Sequence, residues 1–174
     1  CFPVTEMEFN PEANLVERLV CPSSLPEALQ AEAVAIATRV ITALNAIGIL
    51  AVEMFVDEQG NILVNESAPR PHNSGHHTIE SVVTSQFEQL LRAIFNFYPG
   101  STHVKLPSVM INLLGEPGYS GPVKYEGLTE SLKIEGVKVH LYGKKETRPF
   151  RKMGHVTVVA PTVEEARHRA EIVK

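Results

Sequence analysis

The chain has 174 residues, of which 44% are hydrophobic and 21% are charged, so it is long enough for one domain with a real core. Its net charge of −4 gives no bulk attraction to nucleic acid or to an anionic membrane, and we expect neither partner. Two cysteines, Cys1 and Cys21, offer no disulfide framework, which fits a reducing cytosol and a cytoplasmic location. No apolar run approaches the roughly 20 residues of a membrane span.

Two short strands and a helix are predicted at the start of the chain. Cys1–Phe9 and Leu15–Cys21 are strand-like and flank a turn at Asn10-Pro11. A helix is expected from Pro26 to about Ala46, because proline suits the first helical position. Its apolar residues recur at helical spacing and should pack on a sheet. They are Val34, Ala37, Val40, Ile41 and Leu44. The absence of an initiating methionine suggests a fragment of a longer protein.

A β-hairpin is predicted after this helix. Two apolar runs, Ile49–Val56 and Ile62–Val64, flank the turn signal Asp57–Gly60. If the last two residues of that signal form a two-residue loop, the ladder places Glu53 directly opposite Glu66. A register slip of one residue would separate the two carboxylates.

The opposed carboxylates indicate a cation site. Directly opposed residues have Cβ atoms roughly 4.5–5.5 Å apart, and two carboxylates there repel by on the order of 3 kcal/mol at an effective dielectric of about 20. A bound cation removes that repulsion, and Mg²⁺ typically takes one or two protein carboxylates. The alternative is an acidic pair on a solvated face.

The segment Ser67–Thr78, which follows the hairpin, is rich in hydrogen-bond donors and has no hydrophobic periodicity. Pro69 and Pro71 exclude a helix there, and Gly75 allows close backbone approach. A donor-rich loop at the end of a carboxylate-bearing strand is a place where a small anion could be held. The polar side chains are Arg70, His72, Asn73, Ser74, His76 and His77.

Zinc binding and serine hydrolysis are the alternative chemistries for this loop. His72 and His76 have the spacing of a zinc pair, but the prolines and Gly75 argue against the helix that this spacing requires. Ser74 has no GxSxG context, which argues against a serine hydrolase.

Two helices are predicted between the loop and about residue 100, and a smaller, mostly β segment capped by a helix is predicted after them. Helices are expected at Ile79–Val83 and Gln86–Phe97, the latter with a core stripe, and a strand is expected at Pro107–Leu114. The stripe consists of Phe87, Leu90, Leu91, Ile94 and Phe95. Further on, the predicted elements are a short helix at Leu128–Ile134, strands at Val137–Tyr142 and His155–Val159, and a helix at Val163–Lys174.

A resemblance to a known family rests on these motifs. The sequence VEMFVDEQGNILVNESAPRPHNSGHHTIE, followed by SQFEQLLRAI, PVKYEGL and YGKKETRPFRKMGHVT, resembles the 5-(carboxyamino)imidazole ribonucleotide synthases. These are ATP-grasp ligases of purine biosynthesis. The resemblance implies an α+β fold in which residues 1–100 are the C-terminal half of an ATP-grasp domain, with an antiparallel sheet and helices. Residues 101–174 would form a small β-rich C-terminal domain.

The resemblance also implies an activity for the full-length enzyme. It would be a carbon–nitrogen ligase that carboxylates aminoimidazole ribonucleotide with bicarbonate through carboxyphosphate, consuming ATP with Mg²⁺. It would be a cytoplasmic homodimer, and this fragment alone would be inactive. The alternatives are another ATP-grasp ligase, such as a formate-dependent purine ligase or a biotin-type carboxylase, or a non-catalytic anion-binding module.

Site residues follow from the same resemblance. Glu53 and Glu66 would hold Mg²⁺ and thereby the nucleotide. Related carboxylases have an asparagine two residues after the second glutamate, where this chain has Ala68, so Asn65 or water would complete the shell. Catalytic anion handling would fall to a second group, Arg70, His72 and Asn73.

A second basic cluster lies in the C-terminal part of the chain. It contains Lys144, Lys145, Arg148, Arg151 and Lys152. Its residue types alone favour a solvated surface. By resemblance, Lys144 and Arg151 would bind the phosphate of the ribonucleotide, while His155 would support the turn and Tyr142 would pack.

Overall fold

The structure is a computed structural model that describes residues 1–10 and 15–173. These residues form two compact units. The first contains Cys1–Glu6 and Pro22–Lys105, and the second contains the described residues of Met7–Cys21 and Leu106–Lys174. The chain combines antiparallel strands with helices, which confirms the predicted α+β class.

The strands and helices follow one another in a fixed order along the chain. They are β1 (Glu6–Asn10), β2 (Leu15–Cys21), α1 (Glu27–Ala43), β3 (Ala51–Val56), β4 (Ile62–Ala68), a 3₁₀-helix (Asn73–Gly75), α2 (Thr78–Ser81), α3 (Gln86–Ile94), β5 (Ser108–Leu114), β6 (Gly121–Pro122), α4 (Leu128–Ser131), β7 (Val137–Leu141), β8 (Glu146–Thr147), β9 (Lys152–Val159) and α5 (Val163–Val173).

The second unit is built on a five-stranded sheet with the order β1-β2-β5-β9-β7. The pairs β2/β5, β5/β9 and β7/β9 are antiparallel. Its core joins the branched residues of β5 and β9 to two alanines of α5, Ala166 and Ala170, which are fully buried. Because alanine is small, the helix can pack closely on the sheet. The short strands β6 and β8 form a separate antiparallel pair that the sequence did not predict.

The unit boundary differs from a simple cut near residue 100. Met7–Cys21 lies with the second unit although it comes early in the chain, because β2 pairs with β5 through Arg18↔Ile111 to Cys21↔Ser108. The predicted turn at Asn10-Pro11 extends outside the described residues. A local sequence pattern predicts a strand but does not identify its partner, so this assignment required the structure.

Two predicted elements near the N-terminus are shorter in the structure. The strand predicted from Cys1 begins only at Glu6. Helix α1 begins after Pro26 and stops at Ala43, because Asn45 adopts a left-handed φ of 47° that ends the helix.

The predicted apolar face of α1 is only partly buried. Ile36 is the one residue of this helix classed as buried, while Leu44, just beyond its end, is 59% exposed.

The predicted core stripe of α3 is wrong. Phe87, Leu91, Ile94 and Phe95 are 40–64% exposed, and the buried residues of this helix are instead Gln86 and Gln89. The physical reason is that both glutamine amides bond to backbone groups of neighbouring loops, which turns their face of the helix inward. The helix also ends at Ile94 rather than Phe97.

Helix α2 is likewise shifted from its prediction. It covers Thr78–Ser81, and Val82 leaves the helix to form an isolated β-bridge with Val104. Among the described residues, no helix is both long enough and apolar enough to cross a membrane.

Candidate functional site

The hairpin of β3 and β4 places two carboxylates side by side. Its register pairs Glu53 with Glu66, as predicted. Both glutamates sit on paired strands, so their backbone positions are fixed before any ligand binds. Opposed like charges destabilise a sheet unless something neutralises them.

The predicted loop of this hairpin is wrong, although the pairing is right. Three residues, Glu58 to Gly60, separate Asp57 from Asn61, whose backbones are hydrogen-bonded at 3.0 Å. Gly60 supplies the positive φ, 84°, that such a loop requires. This loop shifts the register by one residue, so that Val56 pairs with Ile62.

A β-bulge restores the register. Met54 pairs with Val64 whereas Glu53 pairs with Glu66, so Asn65 is the extra residue. Strict alternation of side chains between the two faces of the strand therefore does not hold across Asn65. Asn65 is exposed, and its predicted role as a ligand stays a prediction.

His72 joins the two carboxylates. Its Nδ1 lies 3.5 Å from Oε1 of Glu53, and one ligand atom from each of Glu53, Glu66 and His72 lies within 4.8 Å of the others. Within residues 1–10 and 15–173, this is the one group of three or more acidic, histidine or cysteine side chains close enough to share a metal ion. The side chains of Glu53 and His72 are about 15% exposed, so solvent screens them only partly.

The other two residues predicted to handle the anion, Arg70 and Asn73, are close to His72 in the chain. Arg70 is exposed and donates from Nη1 to the carbonyl of Pro71 at 3.1 Å. Asn73 begins the 3₁₀-helix, and its carbonyl accepts from the backbone N–H of His76 at 3.1 Å. The Nδ1 of His72 also lies 2.9 Å from Oγ of Ser74. The loop is therefore ordered by its own hydrogen bonds.

The sequence does not indicate the supporting contacts of two buried polar residues, Gln86 and His77, although His77 is among the polar side chains predicted for this loop. Gln86 was grouped with an apolar helix, although its amide contacts the backbone of His72 at 2.8 Å. His77 is 2% exposed; its Nδ1 lies 2.8 Å from Oγ of Ser81 and its Nε2 lies 3.2 Å from Oγ1 of Thr5. Apart from the contact between His77 and Ser81, which are four residues apart, these contacts join residues that are distant in sequence, so no local pattern indicates them.

Burial lowers the pKa of His77 to about 4, with a smaller contribution from His76. The unfolded chain protonates this residue near pH 6.5. Between these values the unfolded state binds a proton that the folded state does not. The free energy of unfolding should therefore be highest above pH 6.5 and fall by about 3 kcal/mol as the pH drops towards 4.

Urea unfolding followed by circular dichroism at pH 7 and pH 4.5 measures this loss. The variant His77→Gln has no titrating ring, so its pH dependence should be shallower, while every other group titrates equally in both proteins. An equal pH dependence in the two proteins would contradict the assignment to His77.

The second unit carries the other predicted binding residues, Lys144 and Arg151. Arg151 donates from Nη1 to the carbonyl of Glu146 at 2.8 Å, and the Lys144 amine donates to the carbonyl of Lys152. Both are half-buried, whereas Lys145 is exposed. The Lys144 and Arg151 side chains thus bond to the backbone of the loop that carries them.

Two aromatic side chains support this loop. Nζ of Lys144 lies 5.7 Å from the ring centroid of Tyr142, whose hydroxyl lies 3.0 Å from Nδ1 of His155. His155 stacks on His140 at 4.4 Å between ring centroids, because the two residues pair across β7 and β9. His155 is therefore a support of the loop through Tyr142.

The chemistry of the carboxylate pair fits a hard divalent cation. Carboxylate oxygens suit Mg²⁺, which uses one or two of them and completes its shell with water and phosphate oxygens. A ring nitrogen suits zinc or copper better than Mg²⁺. Glu53 and Glu66 are therefore the residues that fit Mg²⁺, and His72 fits a role beside the ion.

The hairpin with opposed carboxylates lies in a part of the chain that matches a known family. Residues 1–87, half of the chain, match the family model of the ATP-grasp domain, so the chain belongs to that family. Residues 108–169 match the phosphoribosylaminoimidazole carboxylase C-terminal domain. Within the ATP-grasp proteins, the chain belongs to the branch of the N5-carboxyaminoimidazole ribonucleotide synthases.

Individual relatives agree with this assignment. The N5-carboxyaminoimidazole ribonucleotide synthase of Aquifex aeolicus is 43% identical over 155 residues, which cover 89% of this chain and 41% of the relative. The crystal structure of the N5-carboxyaminoimidazole ribonucleotide synthetase from Thermotoga maritima matches with a TM-score of 0.90 and 52% identity, over 99% of this chain and 46% of that one.

A fungal structure adds ligands. The N5-carboxyaminoimidazole synthase of Aspergillus clavatus, in complex with ADP and 5-aminoimidazole ribonucleotide, matches with a TM-score of 0.90 and 32% identity. It is covered over 46% of its length, and this chain over 99%. The chain therefore spans less than half the length of these relatives.

Proposed function

We propose that the chain contributes the metal-binding and anion-binding part of an ATP-dependent carboxylase. At the length of its relatives, this enzyme carboxylates 5-aminoimidazole ribonucleotide with bicarbonate, and it releases 5-(carboxyamino)imidazole ribonucleotide, ADP and phosphate. The observation that supports this most is the cluster of Glu53, Glu66 and His72, in which one ligand atom from each of the two carboxylates and the imidazole lies within 4.8 Å of the others.

Each part of the cluster has a separate task in this proposal. Glu53 and Glu66 hold Mg²⁺, with Asn65 or water in a remaining position; the ion supplies positive charge that neutralises nucleotide phosphates. Arg70 offers its planar fork to a carboxylate-like oxyanion, and His72 and Asn73 hydrogen-bond to the same anion. Such fixed donors let bicarbonate approach the γ-phosphate of ATP to form carboxyphosphate.

The second unit binds the ribonucleotide in this proposal. Lys144 and Arg151 contact its phosphate, which is doubly charged and suits one ammonium and one guanidinium group. The enzyme is a cytoplasmic homodimer, as the resemblance implies. The relative that contains both ADP and 5-aminoimidazole ribonucleotide supports the pairing of these two ligands in one protein.

A chimera tests the function directly. The 174 residues replace the matching 46% of the Thermotoga maritima synthetase, a substitution that the 52% identity makes practicable. We expect ADP formation that requires bicarbonate and rises with 5-aminoimidazole ribonucleotide, together with the carboxylated product. A folded chimera that binds ATP but whose turnover ignores both compounds would contradict the proposal.

The 174-residue chain alone should have no steady-state activity. It corresponds to less than half of the solved synthetases, so Mg²⁺–ATP would meet only part of its binding surface. The test is bicarbonate-dependent ADP release by a chain of verified mass, with the chimera as the positive control. Sustained release by the 174-residue chain would show that it contains a complete active site.

A further inference from the structure

One buried carboxamide holds the backbone of His72 from both sides. Gln86 is only 3% exposed. Its side-chain Oε1 accepts a hydrogen bond from the backbone N–H of His72 at 2.8 Å. Its Nε2 donates to the carbonyl of His72 at 2.8 Å and lies 2.9 Å from Nδ1 of His76. Gln86 therefore satisfies both backbone polar groups of His72, as a neighbouring strand would.

The carboxamide itself is held in place. The backbone N–H of Gln86 donates to Oγ1 of Thr78 at 3.0 Å, and that hydroxyl donates to the carbonyl of Gly75 at 2.5 Å. Gly75 packs so closely that a Cβ there would lie 2.6 Å from Oε1 of Gln86. His76 also stacks on Phe87 with ring centroids 5.7 Å apart. The start of α3 and the loop are therefore held together by several contacts.

We propose that Gln86 is a positioning residue for His72. It fixes the backbone of the one loop residue whose ring reaches the carboxylate pair, with Nδ1 3.5 Å from Oε1 of Glu53. A displacement of about 1 Å at a reacting group can lower a rate by a hundredfold. The kinetic part of this inference rests on the proposed function, whereas the structural part stands without it.

The same helix offers a matched control in Gln89. Gln89 is also buried, at 8% exposure. Its Nε2 donates to the carbonyl of Gly100 at 2.6 Å, and its Oε1 accepts from the N–H of Gly100 at 2.9 Å. Gln86 and Gln89 thus make the same kind of two-bond contact from one helix. Only Gln86 contacts the loop that carries His72.

Amide hydrogen exchange in the 174-residue chain tests the structural part. In Gln86→Met, which keeps the length of the side chain but removes the amide, exchange at the His72 N–H should accelerate at least about fivefold. In Gln89→Met the acceleration should appear at Gly100 and not at His72. Unchanged exchange at His72 in Gln86→Met would overturn the proposal.

Kinetics of the chimera test the functional part. Gln86→Met should lower kcat/KM for bicarbonate by about ten- to a hundredfold, with KM for ATP changed by no more than about twofold. Gln89→Met should leave both within about twofold. Gly75→Ala places a methyl group against the carboxamide of Gln86 and should cause the same kinetic losses as Gln86→Met. It therefore tests the positioning role even if Gln86→Met folds poorly.

The outcomes separate the two proposals. Equal losses in Gln86→Met and Gln89→Met would show a general effect of helix stability and would overturn the positioning role. Activity unchanged in both Gln86→Met and Gly75→Ala would overturn it as well. If the unsubstituted chimera lacks bicarbonate-dependent turnover, the proposed function fails, while the exchange experiment still decides whether Gln86 orders His72.

Discussion

Replacement of Glu53 or Glu66 by glutamine in the chimera should reduce ATP turnover by on the order of a hundredfold or more. A bound Mg²⁺ stabilises developing charge on a phosphoryl group by several kcal/mol, and each factor of ten in rate corresponds to about 1.4 kcal/mol. Glutamine keeps the size and one oxygen but removes the negative charge that attracts the ion. Because both glutamates face the same point, each substitution alone should suffice.

Steady-state turnover across a range of Mg²⁺ concentrations measures the effect. Glu58→Gln is the matched control, since it removes the same charge from the exposed loop of the same hairpin. Glu58→Gln should leave turnover and its Mg²⁺ dependence unchanged. Near-normal turnover with unaltered Mg²⁺ dependence in both Glu53→Gln and Glu66→Gln would rule out the shared cation site.

Stability should move in the opposite direction to activity. Without Mg²⁺, Glu66→Gln removes one of two like charges and leaves the contact between Glu53 and His72 intact. The exposed position of Glu66 screens the repulsion, so the expected gain in free energy of unfolding is at most about 1 kcal/mol. Loss of activity without loss of stability would distinguish a ligand from a structural residue.

In the hairpin, the predicted pairing of Glu53 with Glu66 is correct although the predicted loop length is not. Two apolar runs and the turn signal between them predict two strands and place Glu53 opposite Glu66, which the register confirms. The loop has three residues rather than two, and the bulge at Asn65 compensates for the extra one. Turn residues alone do not indicate such a bulge, because a bulge depends on how the two strands pair along their whole length.

Helix α3 shows where local patterns fail. Its apolar residues recur at helical spacing, so burial of Phe87 and Leu91 was expected, yet both are exposed. The buried face is instead set by Gln86 and Gln89, whose partners lie 14 and 11 residues away along the chain. A polar residue becomes a favourable core residue only when the fold supplies its partners, and periodicity carries no information about them.

The family motifs indicate candidate site residues but not the residues that support them. The resemblance implies anion handling by Arg70, His72 and Asn73, and in the structure the ring of His72 lies beside the carboxylate pair. By contrast, the contacts of Gln86 with His72 and of His77 with Thr5 are tertiary contacts that a motif does not describe. Residue type thus indicates the chemistry of a site, whereas its geometry depends on partners brought together by the fold.

Arg151→Ala in the chimera should raise KM for 5-aminoimidazole ribonucleotide by about ten- to a hundredfold, because one charge-assisted contact to a bound phosphate contributes about 1.5–3 kcal/mol. A guanidinium has five N–H donors, so the bond from Arg151 to the carbonyl of Glu146 leaves donors for a phosphate. KM for ATP should change little, since the carboxylates that fit Mg²⁺ lie on another segment. Arg151→Lys keeps the charge but not the fork, and its KM should fall between those of the parent and Arg151→Ala.

Lys145→Ala is the control for the Arg151 prediction, because Lys145 belongs to the same basic loop but is exposed. Its substitution should change neither KM, whereas Lys144→Ala should raise KM for the ribonucleotide as Arg151→Ala does. Initial rates with each substrate varied in turn measure all four variants. A binding role requires the effect to follow the two half-buried cations rather than the net charge of the loop. If Arg151→Ala weakens ATP and spares the ribonucleotide, or if Lys145→Ala matches it, phosphate binding by Lys144 and Arg151 is wrong.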